Sequence, residues 1–204
     1  MSALLDSLAE GAGPLAPRRR AALEHALAAG LPSQRNERWK YTSLRALATR
    51  RFAVHPGSAH ALPGASLLAS IEGPRLVFVN GEFSAGLTQV AATPGLSFGW
   101  QPDWGDAPAD AFLRPDEVFA SLNLALERGG ALVEVADGAR IEAPVHLVFL
   151  GVPAVADMAS HLRHRIRVGA RASLSLVEHH LSDGEHRNLD NHLFEIDVGE
   201  GAQL

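Results

Sequence analysis

The spacing of apolar residues changes near residue 130: before it they recur every three to four positions, and after it every second position. "ALLDSLAE" puts Leu4, Leu5 and Leu8 on one helical face, and Gly11 and Gly13 end the run. "PRRRAALEHALAAGLP" predicts a second helix. It starts at Pro17, carries an apolar stripe of Ala22, Leu23, Ala26 and Leu27, and stops at Gly30 and Pro32. Arg18 to Arg20 read as the solvated start of that helix. A third, short helix is expected from Ser43 to about Thr49, capped by Thr42 or Ser43. Residues 52–74, rich in Gly, Pro, Ala, Ser and His, read as linker and loop. "RLVFVNGEFS" predicts a strand, an Asn80-Gly81 turn and a return strand. Residues 93–110 read as loop. "RPDEVFASLNLALERGG" then predicts a helix capped by Asp116, with Val118, Phe119, Leu122 and Leu126 on one face, ended by Gly129-Gly130.

Beyond it, "ALVEVADGARI" (131–141), "HRIRVGARASL" (164–174) and "FEIDVGEGAQL" (194–204) line up. Val133/Val135/Ala139/Ile141, Ile166/Val168/Ala172/Leu174 and Ile196/Val198/Ala202/Leu204 occupy equivalent positions, with the central valines 33 and then 30 residues apart. Alternation on both sides of a small, Gly-containing bend means strand, bend, strand. Repetition at this period predicts a β-solenoid, each unit burying its apolar face on the next. An antiparallel sandwich of similar-looking strands is the alternative. The expected fold class is mainly β with an N-terminal helical domain. It divides into residues 1–52 (helical domain), 53–130 (linker, hairpin and helix) and 131–204 (start of the solenoid core). The chain stops on the last apolar position of the third repeat, without a capping element. It is therefore expected to be a piece of a longer protein that exposes Ile196, Val198, Ala202 and Leu204 and self-associates.

Composition narrows the function. The 204 residues carry a formal net charge of −5, which argues against a nucleic-acid partner. There is no cysteine. Disulfides, thiolate nucleophiles and an iron–sulfur cluster held by this chain's own thiolates are excluded, and a reducing cytoplasm fits. "MSALLDSLAEGAG" lacks the basic start and long apolar run of a signal peptide. The most apolar window, Pro144 to Ala156, is broken by His146, Gly151 and Pro153, so no segment is expected to span a bilayer.

Candidate chemistry concentrates in "VEHHLSDGEHRNLDNH", Val177 to His192. On a strand His179 and His180 point to opposite faces, so both cannot ligate one metal, whereas His180 shares a face with Glu178 and Ser182. The remainder reads as a polar, turn-rich loop between two coils. A cupin-like, metal-dependent enzyme using His180, Glu185, His186 or His192 is the competing reading. It lacks the one-residue spacing that would aim its first two histidines inward. His161 and His164 are expected on exposed loops or strand ends. Arg163, Arg165 and Arg167 are expected as an outward basic stripe, and Ser173 and Ser175 on an outward polar face. There is neither a phosphate-binding loop nor a G-x-S-x-G motif. No residue is assigned a catalytic, cofactor-binding or metal-binding role.

"RNERWKYTSLRAL", Arg35 to Leu47, places Trp39 and Tyr41 around Lys40 ahead of the short helix. Taken alone it is an aromatic staple, with Trp39 packing the helical domain on the following sheet. Together with "FVNG-x-F" (Phe78–Phe83) and "D-x-F-x-x-LN-x-A" (Asp116–Ala125) it resembles the SufB/SufD family of the bacterial Suf iron–sulfur cluster assembly system. The missing cysteines and the early "WKYT" favour its SufD side. The resemblance implies a non-catalytic scaffold about twice this length, with a right-handed parallel β-helix between helical domains. It implies pairing with SufB through the β-helix, recruitment of the ATPase SufC through a C-terminal domain, and a link to iron acquisition. The cluster would be handled by the assembled complex, with no cofactor held by this stretch alone, and neither nucleic acid nor membrane as partner. The family's interface histidine and its SufC-binding helices belong to the other half, so no family functional residue maps onto these 204 positions.

Overall fold

The computed structural model describes residues 2–54, 65–105 and 117–204, and over these the chain is mixed α/β. The helices are α1 (Ala3–Gly11), α2 (Pro17–Ala29), the four-residue α3 (Arg45–Ala48) and α4 (Val118–Leu126). The strands are β1 (Ala53–Val54), β2 (Arg75–Val79), β3 (Glu82–Phe83), β4 (Leu96–Gln101), β5 (Gly130–Val135), β6 (Val145–Gly151), β7 (Met158–Val168), β8 (Leu176–Ser182) and β9 (Leu189–Val198). They form two sheets, neither closed into a barrel. One has parallel β5, β7 and β9, with β4 antiparallel on β5 and β1 beside the start of β7. The other has parallel β2, β6 and β8, with β3 antiparallel on β2.

Register carries the internal repeat into space. Val133 lies beside Ile166 and Ile166 beside Ile196, while Val135, Val168 and Val198 form the next row. Arg140, Ser173 and Gln203 bridge in the same parallel order. Each sequence repeat thus sits directly on the preceding one. Between the sheets, Leu76, Phe78, Val133, Val135, Val145, Leu147, Phe149, Leu162, Ile166 and Val168 make one apolar core.

The helices share a second core. Leu4, Leu5, Leu8, Ala22, Leu23 and Ala26 pack with Phe52, Ala159 and the α4 residues Val118, Leu122, Leu124, Ala125 and Leu126. The expected N-terminal helical domain is therefore seen in part, as two full helices docked on α4. Pro17 opens α2 as the sequence predicts, and α1 is capped by Ser2, whose hydroxyl accepts the Leu5 N–H. Arg19, expected to be solvated, instead donates to the carbonyls of Ala125 (2.9 Å) and Glu127 (2.6 Å). It caps the C-terminus of α4, where carbonyls lack intrahelical donors and the helix dipole favours a cation.

Three further expectations are corrected. The third helix runs only over Arg45–Ala48 and has no side-chain cap, neither Thr42 nor Ser43 reaching its amides. Residues 96–101, read as loop, form β4, whose Gly99 and Gln101 had masked the strand. Trp39 packs on Phe119 of α4, ring centroids 5.4 Å apart, rather than on a sheet, and it is half-buried. The Asp116 cap and residues 55–64 of the 52–74 linker lie outside the described residues, while Ala53–Val54 of that stretch form β1 and Ala65–Leu68 a short 3-10 turn.

The hairpin is as predicted, with Phe78 opposite Phe83 and Val79 opposite Glu82. Asn80 takes positive φ (47°), and its side chain clamps the Val152 backbone. Oδ1 accepts the Val152 N–H (2.8 Å) and an Asn188 Nδ2–H (2.9 Å), while Nδ2 donates to the Val152 carbonyl (3.1 Å). Gly81 (φ 83°) lies so close to β7 that a Cβ would come within 2.3 Å of the Ser160 Cβ. That leaves only glycine both the backbone and the room. In α4, the fully buried Asn123 donates to the carbonyls of Leu162 (2.8 Å) and Asn191 (2.7 Å), fastening the helix to β7 and β9.

Candidate functional site

Three of the chain's histidines, His161, His164 and His192, lie on β7 and β9, and their positions differ from those expected. His161 and His164 are not on exposed ends. Both lie within β7 and are buried, facing opposite sides of the strand. His164 points between the sheets, ringed by Phe78, Phe149, His192 and Phe194 at centroid distances of 5.7, 5.3, 5.6 and 4.6 Å. Its Nδ1 accepts the Ala131 N–H (3.0 Å), so its proton sits on Nε2, which has no hydrogen-bond partner. His161 faces α4. Its Nδ1 accepts from Asn191 Nδ2 (3.1 Å), whose other proton goes to the Phe119 carbonyl (2.8 Å). Burial pushes the His161 pKa down to about 3, with His192 adding to the effect, and the same two causes hold His164 well below its ordinary value.

His192 projects inward from β9 and lies 4.3 Å from Phe149 by ring centroids and 6.2 Å from His180, which comes from β8. Its pKa falls to about 4, chiefly through burial. The nearby Asp190 opposes that shift and His180 adds to it. The Ser160 hydroxyl donates to Asp190 Oδ1 (2.5 Å) and lies 3.4 Å from His192 Nε2. Serine, histidine and aspartate are therefore all present, but the serine proton is committed to the carboxylate. A nucleophilic triad requires the histidine between the other two, taking the serine proton. Here the carboxylate takes that proton, so the three side chains are not wired as such a triad.

The adjacent histidines of β8 part as the strand geometry demands. His180 faces inward, 3.5 Å from Glu178 Oε2. His179 faces the other way and meets His146 Nδ1 at 3.0 Å. Because His146 Nε2 donates to the Glu72 carbonyl (3.0 Å), Nδ1 must accept, and His179 Nε2 carries the shared proton. Burial, and then His146, lowers the His179 pKa. The turn-rich loop is shorter than expected, since Leu189 to His192 belong to β9. Of the cupin-like set, only His180 and His192 approach each other. His186 is bound to Ser182 Oγ (2.9 Å) against Gly151, and Glu185 is exposed. Among the described residues no three His, Asp or Glu side chains are placed to hold a metal.

The basic stripe is also different. Arg163 is buried and ion-paired with Glu195, whose other oxygen lies 3.0 Å from Arg165. Trp104 covers this row. Its indole N–H donates to the Arg163 carbonyl (2.8 Å), and the Arg165 guanidinium lies 4.4 Å from its ring centroid. Only Arg167 is exposed as expected, facing Glu134 and Asp197. Alternation did not disclose this, because the covers, α4 and Trp104, come from distant parts of the chain.

Among the described residues no helix is long and apolar enough to cross a membrane. No family profile matches the chain. A curated relative does. The chain is 28% identical over 190 residues to the iron–sulfur cluster assembly protein SufD of Escherichia coli (strain K12). The match takes in 92% of this chain but 44% of the relative, so the chain spans less than half of that protein's length. With its Trp39, Asn80-Gly81 and Leu122-Asn123 motifs placed in one fold, the chain is similar to SufD.

Proposed function

We propose that the chain is a non-catalytic scaffold portion of a Suf-type iron–sulfur cluster assembly protein, acting in the cytoplasm. The supporting observation is the similarity to SufD across nearly all of the chain. In this reading the paired β5/β6, β7/β8 and β9 units are coils of a right-handed parallel β-helix. Residues 1–52 form a helical domain, 53–130 the lead-in and 131–204 the start of the helix. The β-helix pairs with SufB, and SufC is recruited by a part of the protein outside these residues. The cluster is cargo of the assembled complex, and iron acquisition depends on that assembly. The histidines of β7 and β9 then serve packing, since His161, His164 and His192 are all held neutral.

The intact gene product, tagged and purified from its own cells, should carry SufB and SufC with it. Deleting its gene should lower the activity of iron–sulfur enzymes. Neither protein co-purifying, with iron–sulfur enzymes unaffected, would refute the proposal. The histidine-rich segment 177–192 should bind zinc, cobalt or ferrous iron no tighter than about 1 μM, roughly −8 kcal/mol. Stoichiometric tighter binding by calorimetry, abolished by His180→Ala with His186→Ala, would restore the metal-enzyme alternative.

A further inference from the structure

The exposed part of the "RNERWKYTSLRAL" segment has no role in either core. Residues 35–51 hold six cations against Glu37, a charge of +5 that leaves −10 for the rest of the chain. Three of the six fasten the segment: Arg38 to Glu117, Arg50 to Asp157 (2.5 Å) and Arg51 to Glu10. Among the described residues no carboxylate pairs with Arg35, Lys40 or Arg45. Arg35 and Arg45 stand on the rim of a concave surface of about 360 Å3, whose half-buried floor includes Leu31, Pro32, Leu44 and Ala48. Between them in the chain Tyr41 is 90% exposed, and its described ring contact is Lys40, whose ammonium lies 5.5 Å from the ring centroid.

An apolar seat rimmed by arginine, with an exposed tyrosine in the same segment, has the composition of an interface hot spot. We infer that residues 31–48 form a docking surface for an acidic segment of a partner protein. One apolar side chain of that segment sits over Leu31, Leu44 and Ala48, and its carboxylates meet Arg35, Lys40 and Arg45. The charge balance selects this occupant. A long polyanion such as RNA, or an anionic membrane, would be repelled by the net negative charge of the rest of the chain, whereas a short acidic peptide meets only the three cations of the segment that no described carboxylate neutralises. The apolar floor further requires a side chain, which a phosphate backbone lacks. The inference stands apart from the Suf reading, and its test does not involve SufB or SufC.

A fluorescein-labelled peptide alternating glutamate with leucine should bind the intact chain, measured by polarisation in low salt. A counterpart with serine for leucine should bind about tenfold more weakly. Arg35→Glu with Arg45→Glu should weaken binding by at least about tenfold without changing the melting curve, because both side chains are exposed. Arg140→Glu, an exposed charge reversal elsewhere, should leave it unchanged. Absence of binding, equal loss with Arg140→Glu, or equal affinity for the serine peptide would overturn the inference. So would single-stranded RNA or phosphatidylserine vesicles binding more tightly at the same residues.

Discussion

Arg163 has its charge in a place where water cannot reach it, and its ion pair with Glu195 offsets part of that cost. Removing one partner of a buried pair strands the other, at a cost of about 3–5 kcal/mol, whereas replacing both with apolar groups of similar volume is often neutral. Glu195→Ala should therefore lower the melting temperature strongly, and Arg163→Met with Glu195→Met should restore much of it. A single substitution as mild as the pair would mean that Arg163 is held by contacts other than Glu195. Trp39→Ala tests a weaker contact. A fully buried tryptophan costs about 3–5 kcal/mol on truncation, and half-buried Trp39 on Phe119 should cost clearly less. An unchanged melting curve would remove Trp39 from the fold's supports.

β7 is the strand that the sequence described worst and the fold depends on most. Its neighbours in register were legible, because Val133, Ile166 and Ile196 repeat around small Ala bends. The hairpin was legible too, since Asn80-Gly81 names its own turn. The faces of β7 were not. A polar residue alternating with an apolar one ordinarily faces water, but here α4 and Trp104 cover the outward row and His164 occupies the inward one. The rule failed because both sides of the strand are buried. That burial fixes a pH dependence. With folded values of about 3 for His161, about 4 for His192 and well below 6.5 for His164, the unfolded chain binds more protons as pH falls below about 6.5. Stability should be full above that value, and each histidine should remove about 1.4 kcal/mol per pH unit below it until its own folded pKa is reached. Denaturant midpoints between pH 7 and 4 measure this slope, and His192→Phe should flatten it. A flat profile in the parent chain would mean that these histidines take up protons without unfolding.

The stack of parallel strands is closed on one side and open on the other. β3 and β4 turn back antiparallel to cover β2 and β5. The outer edges of β8 and β9 have no strand partner among the described residues, and Val177, Ile196, Val198 and Leu204 are exposed beside them. Free backbone donors next to apolar side chains favour pairing with another chain. These 204 residues by themselves should therefore self-associate with rising concentration in light scattering. A monomer at high concentration would mean that the edge is covered by the chain itself. The candidate site was only partly legible at this level. The split of His179 from His180 follows from strand geometry alone, but the meeting of His164, His180 and His192 needed three strands brought into register.

The clasp of Arg19 on the end of α4 has a further consequence during synthesis. The groups it joins are made far apart in time. From the end of α2 to the start of α4 the ribosome adds 89 residues, about 5–20 s at ordinary elongation rates of about 5–20 residues per second. For that interval α1 and α2 exist without the helix that buries them, and Leu4, Leu5, Leu8 and Leu23 are open to any apolar surface nearby. The N-terminal helices are thus the part of the nascent chain most in need of a chaperone's shelter.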